Sequence, residues 1–264
     1  MNIVVCIKQV LDPLAPVSSF RIDTEARRAV PPAGTPPVLN PFDENALEAA
    51  LKIRDASGAS IAAVSVGSQL AKPVLKKALA AGADQLFLVD DPILVDLDSY
   101  STALALAGAV SKIGDYDVIV CGRQSSDTDA GQVGPGLAEL LGLPCVTLVT
   151  RIEKAEDGRL RVERLAEDGR EVVEVATPVL LTVSNEMGEL RYAALKEMIA
   201  ANKKPITVWR AADLDPNGFS GTAKIRTVDL FIPVRESVCE MVGGTSPEET
   251  VENLISKLRA ARAI

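Results

Sequence analysis

A stretch of glycine, hydroxyl, amide and acidic residues from Gly122 to Pro135 has the residue types that hold a nucleotide. It follows the apolar run 116–121 and precedes a helical pattern that begins at Gly136. Loops between a buried strand and a helix bind ligands at the carboxyl ends of parallel strands. N–H groups at a helix N-terminus favour an anion such as phosphate, and acids such as Asp127 and Asp129 are suited to ribose hydroxyls. We therefore predict a nucleotide-binding loop.

The same loop lacks the residues that usually catalyse reactions. It contains neither histidine nor cysteine, and the whole chain has no histidine. This removes the commonest general base and the commonest metal ligand. Two acids are too few for a metal cage. We expect binding without catalysis, with a second interpretation left open in which Asp127 and Asp129 only cap the following helix.

The composition limits the class of protein. The chain has 264 residues, of which 47% are hydrophobic and only 3% aromatic. A core of Ala, Val, Ile and Leu suits parallel strands covered by helices. The net charge of −8 argues against nucleic acid and anionic membranes as main partners. No apolar run reaches the roughly 18 residues that a membrane span needs.

The four cysteines predict neither a metal site nor a redox pair. Cys6, Cys121, Cys145 and Cys239 include no close pair, which excludes zinc-knuckle and iron–sulfur spacings. Each follows or precedes apolar residues, so we expect four buried side chains. Free cysteines and the lack of a signal peptide indicate a reducing, cytoplasmic location.

Strands alternate with helices along the first half of the chain, which predicts an α/β fold with a doubly wound, mostly parallel sheet. An excursion rich in proline, residues 11–39, interrupts this order and is expected to contain a short edge hairpin. Asn40 or Asp43 is expected to cap the first long helix. The predicted strands are 2–7, 60–66, 85–89, 118–121 and 144–149. The predicted helices are 46–56, 72–81, 99–113 and 136–141.

An antiparallel meander follows the parallel part. Alternating runs surround Asp157-Gly158 and Asp168-Gly169, and Asp-Gly between such runs is the strongest short hairpin signal. Residues 178–183 predict a strand that returns to the sheet. We expect one nucleotide-binding domain over 1–225, and over 226–264 a C-terminal arm whose helix, about 246–260, packs on a partner.

Several motifs together resemble the β subunit (small subunit) of the electron transfer flavoproteins. The most specific is 162–173, continuing through 178–182, which is similar to the family's signature along its full length. The resemblance covers nearly the whole chain in the same order. The other matching segments are 3–10, 40–50, 64–67, 78–84, 185–186, 191–195 and 203–204.

The resemblance implies an electron-carrier subunit that is not an enzyme by itself. It implies a heterodimer with a larger α subunit, an FAD held mainly by that subunit, and AMP in the β subunit. In electron-bifurcating members a second FAD occupies the AMP site. The implied nucleotide contacts are Cys6 and Val66 through their backbone, Asn40, Gly122, Arg123, Gln124, Asp127, Thr128, Asp129, Ala130, Gly131, Gln132, Val133 and Gly134.

The resemblance also implies a loop near 191–199 that docks acyl-CoA dehydrogenases, as in fatty acid oxidation. Arg191, Tyr192, Leu195 and Ile199 belong to it, and Leu195 falls where the family has an anchoring leucine. An exposed leucine that fills a partner's pocket is a known source of binding energy. The alternative is a helix face that points into the core, because Tyr192, Leu195 and Ile199 have helical spacing. Lys196 stands where the family commonly has proline.

Three functional alternatives remain at this point. Residues 132–135 are closest to bifurcating members, whereas Ala130 replaces their usual threonine, so AMP and a second FAD are both open. An ATP-binding or ATP-hydrolysing stress-type protein would use a similar sheet, but no Walker lysine follows a strand. A purely structural partner protein would bind no nucleotide.

Overall fold

The computed structural model describes residues 1–214, 222–233 and 239–264. Its contacts divide the chain into two compact units, Met1–Val228 and Asp229–Ile264. Most of the predicted polar segment 212–221 lies outside the described residues. The functional assignment of 1–225 and 226–264 stays a prediction.

The first unit contains thirteen strands and six helices among its described residues. The strands are β1 (Asn2–Cys6), β2 (Gln9–Val10), β3 (Arg21–Asp23), β4 (Arg28–Val30), β5 (Val38–Leu39), β6 (Ser60–Gly67), β7 (Gln85–Asp90), β8 (Val118–Gly122), β9 (Cys145–Glu156), β10 (Arg159–Ala166), β11 (Gly169–Ala176), β12 (Val179–Val183) and β13 (Ile206–Trp209). The helices are α1 (Pro41–Ser57), α2 (Lys72–Leu75), α3 (Lys77–Ala81), α4 (Ser99–Ile113), α5 (Val133–Leu141) and α6 (Leu195–Ala201).

Nine of these strands form one sheet in the order β11-β10-β9-β12-β8-β1-β6-β7-β13. From β9 to β13 every neighbouring pair is parallel, while β9, β10 and β11 pair antiparallel. The predicted α/β class, with a mostly parallel sheet and an added antiparallel meander, is confirmed. The predicted hairpin in the excursion is β3–β4, which forms a separate two-stranded sheet.

The central strands are apolar throughout because both of their faces are covered. Ile3 and Val5 pack in a cluster with α1 and α3, whereas Val4 and Cys6 pack in a second cluster with α4 and α5. Cys121 is also buried, but Cys145 and Cys239 are exposed, so the expectation of four buried cysteines is wrong for these two. The hydrogen bond with the neighbouring Cys6 thiol, together with burial, raises the pKa of the Cys121 thiol well above its usual value.

The strand order reverses at β1. The chain passes from β1 to β6 and β7 on one side, and then returns to β8 on the other side of β1. Helices leave neighbouring strands in opposite directions at such a point, which opens a crevice beyond the carboxyl ends. The ends of β1 and β8 therefore define the expected ligand position.

The meander follows the predicted turns closely. Asp157 and Gly158 both have positive φ, at +51° and +69°, and connect β9 to β10. In the second hairpin Ala166 pairs with Gly169, so the turn is Glu167-Asp168, one residue earlier than predicted. The predicted returning strand is β12, which lies between β9 and β8.

Two helices differ from the prediction. The helix expected over 72–81 is divided at Lys76 into α2 and α3. The helix expected from Gly136 begins three residues earlier, at Val133, because the backbone of Gly134-Pro135 already has helical geometry. The last three residues of the predicted loop therefore form the first turn of α5.

The edge strand β13 carries the only tryptophan of the sequence. The Trp209 ring lies 5.0 Å from the Phe87 ring on the neighbouring strand. The Lys112 ammonium group lies 5.1 Å from the centre of the same ring. These contacts tie β13 to β7 and to α4.

The second unit contains the helix α7 (Pro247–Ala260), as predicted. The Ser246 side chain accepts a hydrogen bond from the Glu249 N–H, and Pro247 occupies the first turn. No residue of α7 is buried. Among the described residues, no helix is both long and apolar enough to cross a membrane.

Candidate functional site

Three of the predicted contact residues lie together at the reversal of strand order. Cys6 ends β1, Val66 is the penultimate residue of β6, and Gly122 ends β8. These three parallel strands are neighbours, so their carboxyl ends form one edge. Ligands of open α/β sheets bind beyond such carboxyl ends.

Asn40 ties the start of α1 to the predicted loop. Of the two predicted caps, Asn40 occupies the N-cap position of α1 and Asp43 lies inside the helix, but the Asn40 side chain caps no helix N–H group. The side-chain amide donates to the Gln124 carbonyl at 2.9 Å and accepts from the Ser126 N–H at 3.1 Å. The residue uses its polar groups to position the loop.

Asp43 is a buried carboxyl group at the centre of this arrangement. It accepts the backbone N–H of Lys8 at 2.7 Å. A Cβ atom on Gly122 would lie 2.5 Å from Asp43 Oδ1, so glycine is required for this close approach. Burial raises the pKa of Asp43 from 3.8 to about 7, although the Asn40 hydrogen bond and the Lys8 amide and charge act in the opposite direction.

The loop after β8 folds on itself through its own polar groups. The Asp129 N–H donates to the Ser125 carbonyl at 2.8 Å, and the Ser125 and Thr128 hydroxyls are 2.8 Å apart. Asp129 accepts from the Gln124 side chain at 2.8 Å. Asp129 and Gly131 have φ of +50° and +64°, a conformation that reverses the chain before α5.

Asp127 forms an ion pair outside this turn. Its two carboxylate oxygens lie 2.8 and 2.7 Å from the Nζ atom of Lys8. Lys8 lies two residues after the end of β1, so the ion pair joins the loop to the segment that follows the central strand. The Lys8 ammonium group also lies 3.4 Å from the Ser125 hydroxyl.

The alternative of helix capping by the two acids is wrong. Helix α5 begins after Gln132, and no side chain caps it. Asp127 and Asp129 bind Lys8 and Gln124 instead. The first N–H groups of α5 therefore remain available to an anion.

The remaining predicted residues have different positions along this loop. Thr128, Ala130, Gly131 and Gln132 are exposed. Gly134 is buried in the first turn of α5, where an added Cβ would lie 2.5 Å from the Thr182 methyl group. Val133 packs against the core cluster under α4 and α5.

Arg123 is turned away from the tip of the loop. Its guanidinium group lies 5.7 Å from the centre of the Phe42 ring, and its Nε atom donates to Gln124 Oε1 at 3.1 Å. Its backbone N–H donates to the Val183 carbonyl at 2.9 Å. The residue links β8 to β12 and to α1.

The chemistry of this edge suits a phosphate-bearing nucleoside. It presents helix N–H groups, the Lys8 ammonium group and several hydroxyls. The Ser126 hydroxyl is buried and has no hydrogen-bond partner among the described residues. A buried unpaired hydroxyl is uncommon in proteins, and a polar ligand would satisfy it. The described edge holds binding groups but no histidine.

Sequence analysis missed Lys8 and Asp43 as site residues. The sequence indicated Lys8 only within the segment 3–10 that resembles the family, and Asp43 only as a helix cap. A lysine directly after the first buried strand was the available signal for Lys8. No local signal distinguished Asp43 from Glu44, the acid beside it in the first turn of α1.

The segment near 191–199 exposes several large apolar side chains. Tyr192 is 97% exposed, Leu195 73% and Ile199 58%. Met198, on the same short helix α6, is 52% exposed. The alternative in which this face points into the core is wrong, since only Ala201 of α6 is buried. We call Tyr192, Leu195, Met198 and Ile199 the apolar patch.

Arg191 fixes the start of this segment to α1. Its guanidinium group donates to Glu48 at 2.8 and 3.0 Å and to Asp55 at 2.7 Å. Its backbone N–H donates to Glu48 at 3.0 Å. The Glu48 hydrogen bonds, followed by the Asp55 contact, raise the pKa of Arg191 above its usual value. These contacts hold Arg191 beside the apolar patch, and its predicted part in docking stays a prediction.

Residues 32–214 match the model of the electron transfer flavoprotein domain. This chain belongs to the electron transfer flavoprotein family, as a beta subunit. The matched residues include Asn40, Val66, the loop after β8, Arg191 and the apolar patch, whereas β1 and Lys8 precede the matched range.

Individual members of the electron transfer flavoprotein family match along the full chain. The electron transfer flavoprotein subunit beta of Thermoanaerobacterium thermosaccharolyticum is 39% identical over 269 residues and is covered completely. The caffeyl-CoA reductase-Etf complex subunit CarD of Acetobacterium woodii is 37% identical, again with both chains covered completely. The acryloyl-CoA reductase electron transfer subunit gamma of Anaerotignum propionicum is 34% identical, with the same coverage.

Proposed function

We propose that this chain holds an adenine nucleotide at the edge formed by β1, β6 and β8, supports the FAD of an α subunit, and docks a partner flavoenzyme. Its role is to shuttle electrons as half of a heterodimer. The observation that carries the proposal is the polar loop after β8, positioned by Asn40 at the point where the strand order reverses. The membership in the electron transfer flavoprotein family supports the same assignment.

The groups at this edge favour the adenylate part of a nucleotide. The N–H groups at the start of α5 and the Lys8 ammonium group suit one phosphate. Ser126, Thr128 and Asp129 provide hydroxyl and carboxylate groups suited to a ribose. AMP and the adenylate half of FAD share this chemistry. In either case the flavin supplies the redox chemistry, and this chain supplies binding and orientation.

The test is the identity of the ligands released from the intact heterodimer. The chain is purified together with its α subunit, denatured, and its released ligands are quantified by mass spectrometry. One FAD and one AMP per heterodimer indicate a simple electron carrier. Two FAD indicate a bifurcating one. Release of no adenine nucleotide beyond the FAD of the α subunit would contradict the proposed site.

The apolar patch is the proposed docking surface for an acyl-CoA dehydrogenase-type or acyl-CoA reductase-type flavoenzyme. Tyr192 and Leu195 are largely exposed, and exposed large apolar side chains in a cluster mark an interaction site. The names of two relatives, a caffeyl-CoA reductase complex subunit and an acryloyl-CoA reductase subunit, favour a partner that acts on acyl-CoA compounds.

Helix α7 is the proposed contact of the second unit with the α subunit. Val251, Leu254, Ile255 and Leu258 follow one face at helical spacing. Val251 is 54% and Leu254 is 45% exposed. An amphipathic helix with no buried residue needs a partner surface for its apolar face, and the α subunit is the partner implied by the family.

A further inference from the structure

Lys8 has the geometry of a phosphate-binding group. Its backbone is fixed on both sides, since its N–H donates to Asp43 at 2.7 Å and its carbonyl accepts from the Asn40 N–H at 2.9 Å. Its side chain then leaves the end of β1 toward the loop after β8. The base of the side chain is thus held at the centre of the proposed nucleotide site, while its ammonium group can move.

The present partner of this ammonium group is easily exchanged. Lys8 is 45% and Asp127 is 29% exposed, and ion pairs near the surface contribute only about 0–1 kcal/mol to stability. The carboxylate of Asp127 carries one negative charge. A nucleoside monophosphate carries up to about two near neutral pH, and lysine binds phosphate as a point charge.

The neighbouring cation is committed elsewhere. Arg123 stacks on Phe42 and donates to Gln124, and its backbone joins the β8–β12 ladder. Its guanidinium group would have to leave these contacts to reach a phosphate near α5. Lys8 would only have to exchange one carboxylate for one phosphate.

We infer that Lys8 is the phosphate-binding cation of the nucleotide site and that Asp127 is an internal competitor for its ammonium group. This inference rests on the proposed function, because it assigns a role within the same site. A bound phosphate takes the N–H donors of Lys8, and Asp127 turns to solvent. The affinity for a nucleotide with a phosphate is therefore reduced by the strength of the Lys8–Asp127 contact.

The test compares AMP with adenosine, which lacks the phosphate. Both are titrated calorimetrically into the full chain, purified with its α subunit and freed of copurified nucleotide. The variants are Lys8→Met, Lys8→Arg and Asp127→Asn. Lys196→Met is the matched control, because Lys196 is an exposed lysine on α6 and belongs to another surface. Thermal unfolding of each variant confirms that it is folded.

Lys8→Met is expected to weaken the binding of AMP about tenfold, which corresponds to about 1.4 kcal/mol. The affinity for adenosine is expected to stay unchanged. Lys8→Arg is expected to retain the preference for AMP. Asp127→Asn is expected to strengthen the binding of AMP severalfold without changing the affinity for adenosine, since it removes the competing charge. Lys196→Met is expected to change the affinity for neither ligand.

Other results overturn the inference. If Lys8→Met leaves the ratio of AMP affinity to adenosine affinity unchanged, Lys8 is not the phosphate-binding cation. If Asp127→Asn weakens the binding of AMP and of adenosine equally, Asp127 binds the nucleoside and does not compete for the Lys8 ammonium group. Neither result contradicts the proposed nucleotide site itself. Failure of the unsubstituted protein to bind either ligand would instead remove the proposed function together with this inference.

Discussion

The buried carboxyl group of Asp43 makes the stability of the chain depend on pH. The pKa of Asp43 is raised by burial to about 7 in the folded chain, from 3.8 in its ordinary environment. Between these values the folded chain binds the proton more tightly than the unfolded chain does. The contribution of Asp43 to stability is therefore largest below about pH 4 and falls as the pH rises toward 7, by up to about 4 kcal/mol at about 1.4 kcal/mol per pKa unit.

Asp43→Asn is expected to remove this loss, because the amide resembles the protonated carboxyl group in shape and charge. The free energy of unfolding, measured with urea from pH 5 to 8, should fall less steeply for the variant than for the unsubstituted protein. Asp55→Asn is the control, since the Arg191 hydrogen bond lowers the pKa of Asp55 and its titration ends below this range. Parallel curves for Asp43→Asn and the unsubstituted protein would contradict the assignment.

The close approach of β8 to α1 depends on the missing side chain of Gly122. A Cβ atom there would lie 2.7 Å from the Phe42 carbonyl carbon and 2.5 Å from Asp43 Oδ1. Gly122→Ala is expected to destabilise the chain by about 1–3 kcal/mol through overpacking and to weaken nucleotide binding. In Gly136→Ala the new Cβ would lie 3.5 Å from Ala103 Cβ, an ordinary contact in a helix.

Thermal unfolding and nucleotide titration of both glycine variants provide the measurement. Gly136→Ala should be neutral or slightly stabilising, because alanine favours a helix by about 1 kcal/mol over glycine. Equal stability of the two variants would show that the strand end yields to a side chain, against the close packing described above.

The loop from Gly122 to Gly134 could be predicted as a site because its signal is local. Small polar residues follow an apolar run and precede a helical pattern, and all of these features lie within about fifteen residues. The roles of Lys8 and Asp43 could not be predicted in this way. Lys8 meets Asp127 across 119 positions of the chain, and Asp43 meets Lys8 across 35. Only the folded sheet brings such residues together.

At the level of single elements, we expect a substitution in the apolar patch to impair electron transfer while leaving the stability of the fold nearly unchanged. Leu195 is 73% exposed, so Leu195→Ala should change the free energy of unfolding by less than about 0.5 kcal/mol. The same variant should slow electron transfer from the reduced partner flavoenzyme to the heterodimer, because the anchor of the interface is lost. Stopped-flow kinetics with the reduced partner and urea unfolding measure the two effects.

Ile93→Ala is the matched control for Leu195. Ile93 is 51% exposed but lies after β7, away from α6. It should alter neither the unfolding free energy nor the transfer rate. A loss of stability in Leu195→Ala, or equal rates for all three proteins, would count against a docking role for the patch.

The strands show which elements a sequence can predict. Asp157-Gly158 correctly indicated a hairpin because the turn conformation is specified by the two residues themselves. The continuity of β9 was not predicted. Residues 145–149 pair with β12 and residues 149–156 pair with β10. Leu148, which has a φ of +59°, lies in the part that pairs with β12. Because the two halves of β9 have different neighbours, their sequence patterns differ and resemble those of two separate strands.

For the whole molecule, the main expectation concerns assembly with the α subunit. Leu254→Glu places a charge on the apolar face of α7 and should weaken the heterodimer by at least about tenfold, since burying an unpaired charge is costly. Ser256→Glu adds the same charge on the opposite side of the helix, according to the helical spacing. Size-exclusion chromatography and calorimetric titration of the two subunits measure the difference.

Equal affinities of the two glutamate variants for the α subunit would contradict the assignment of this face. Nucleotide binding to the first unit provides an independent check, because neither substitution lies in that unit. A variant that loses the α subunit but retains AMP would separate the assembly role of α7 from the nucleotide site.

The position of Trp209 gives this chain an internal optical probe. Because it is the only indole in the sequence and stacks on Phe87 at the sheet border, its fluorescence reports on one strand alone. Detachment of that strand would shift the emission to longer wavelength before circular dichroism registers loss of the remaining sheet. Coincident transitions by both signals would instead indicate that the border melts together with the centre.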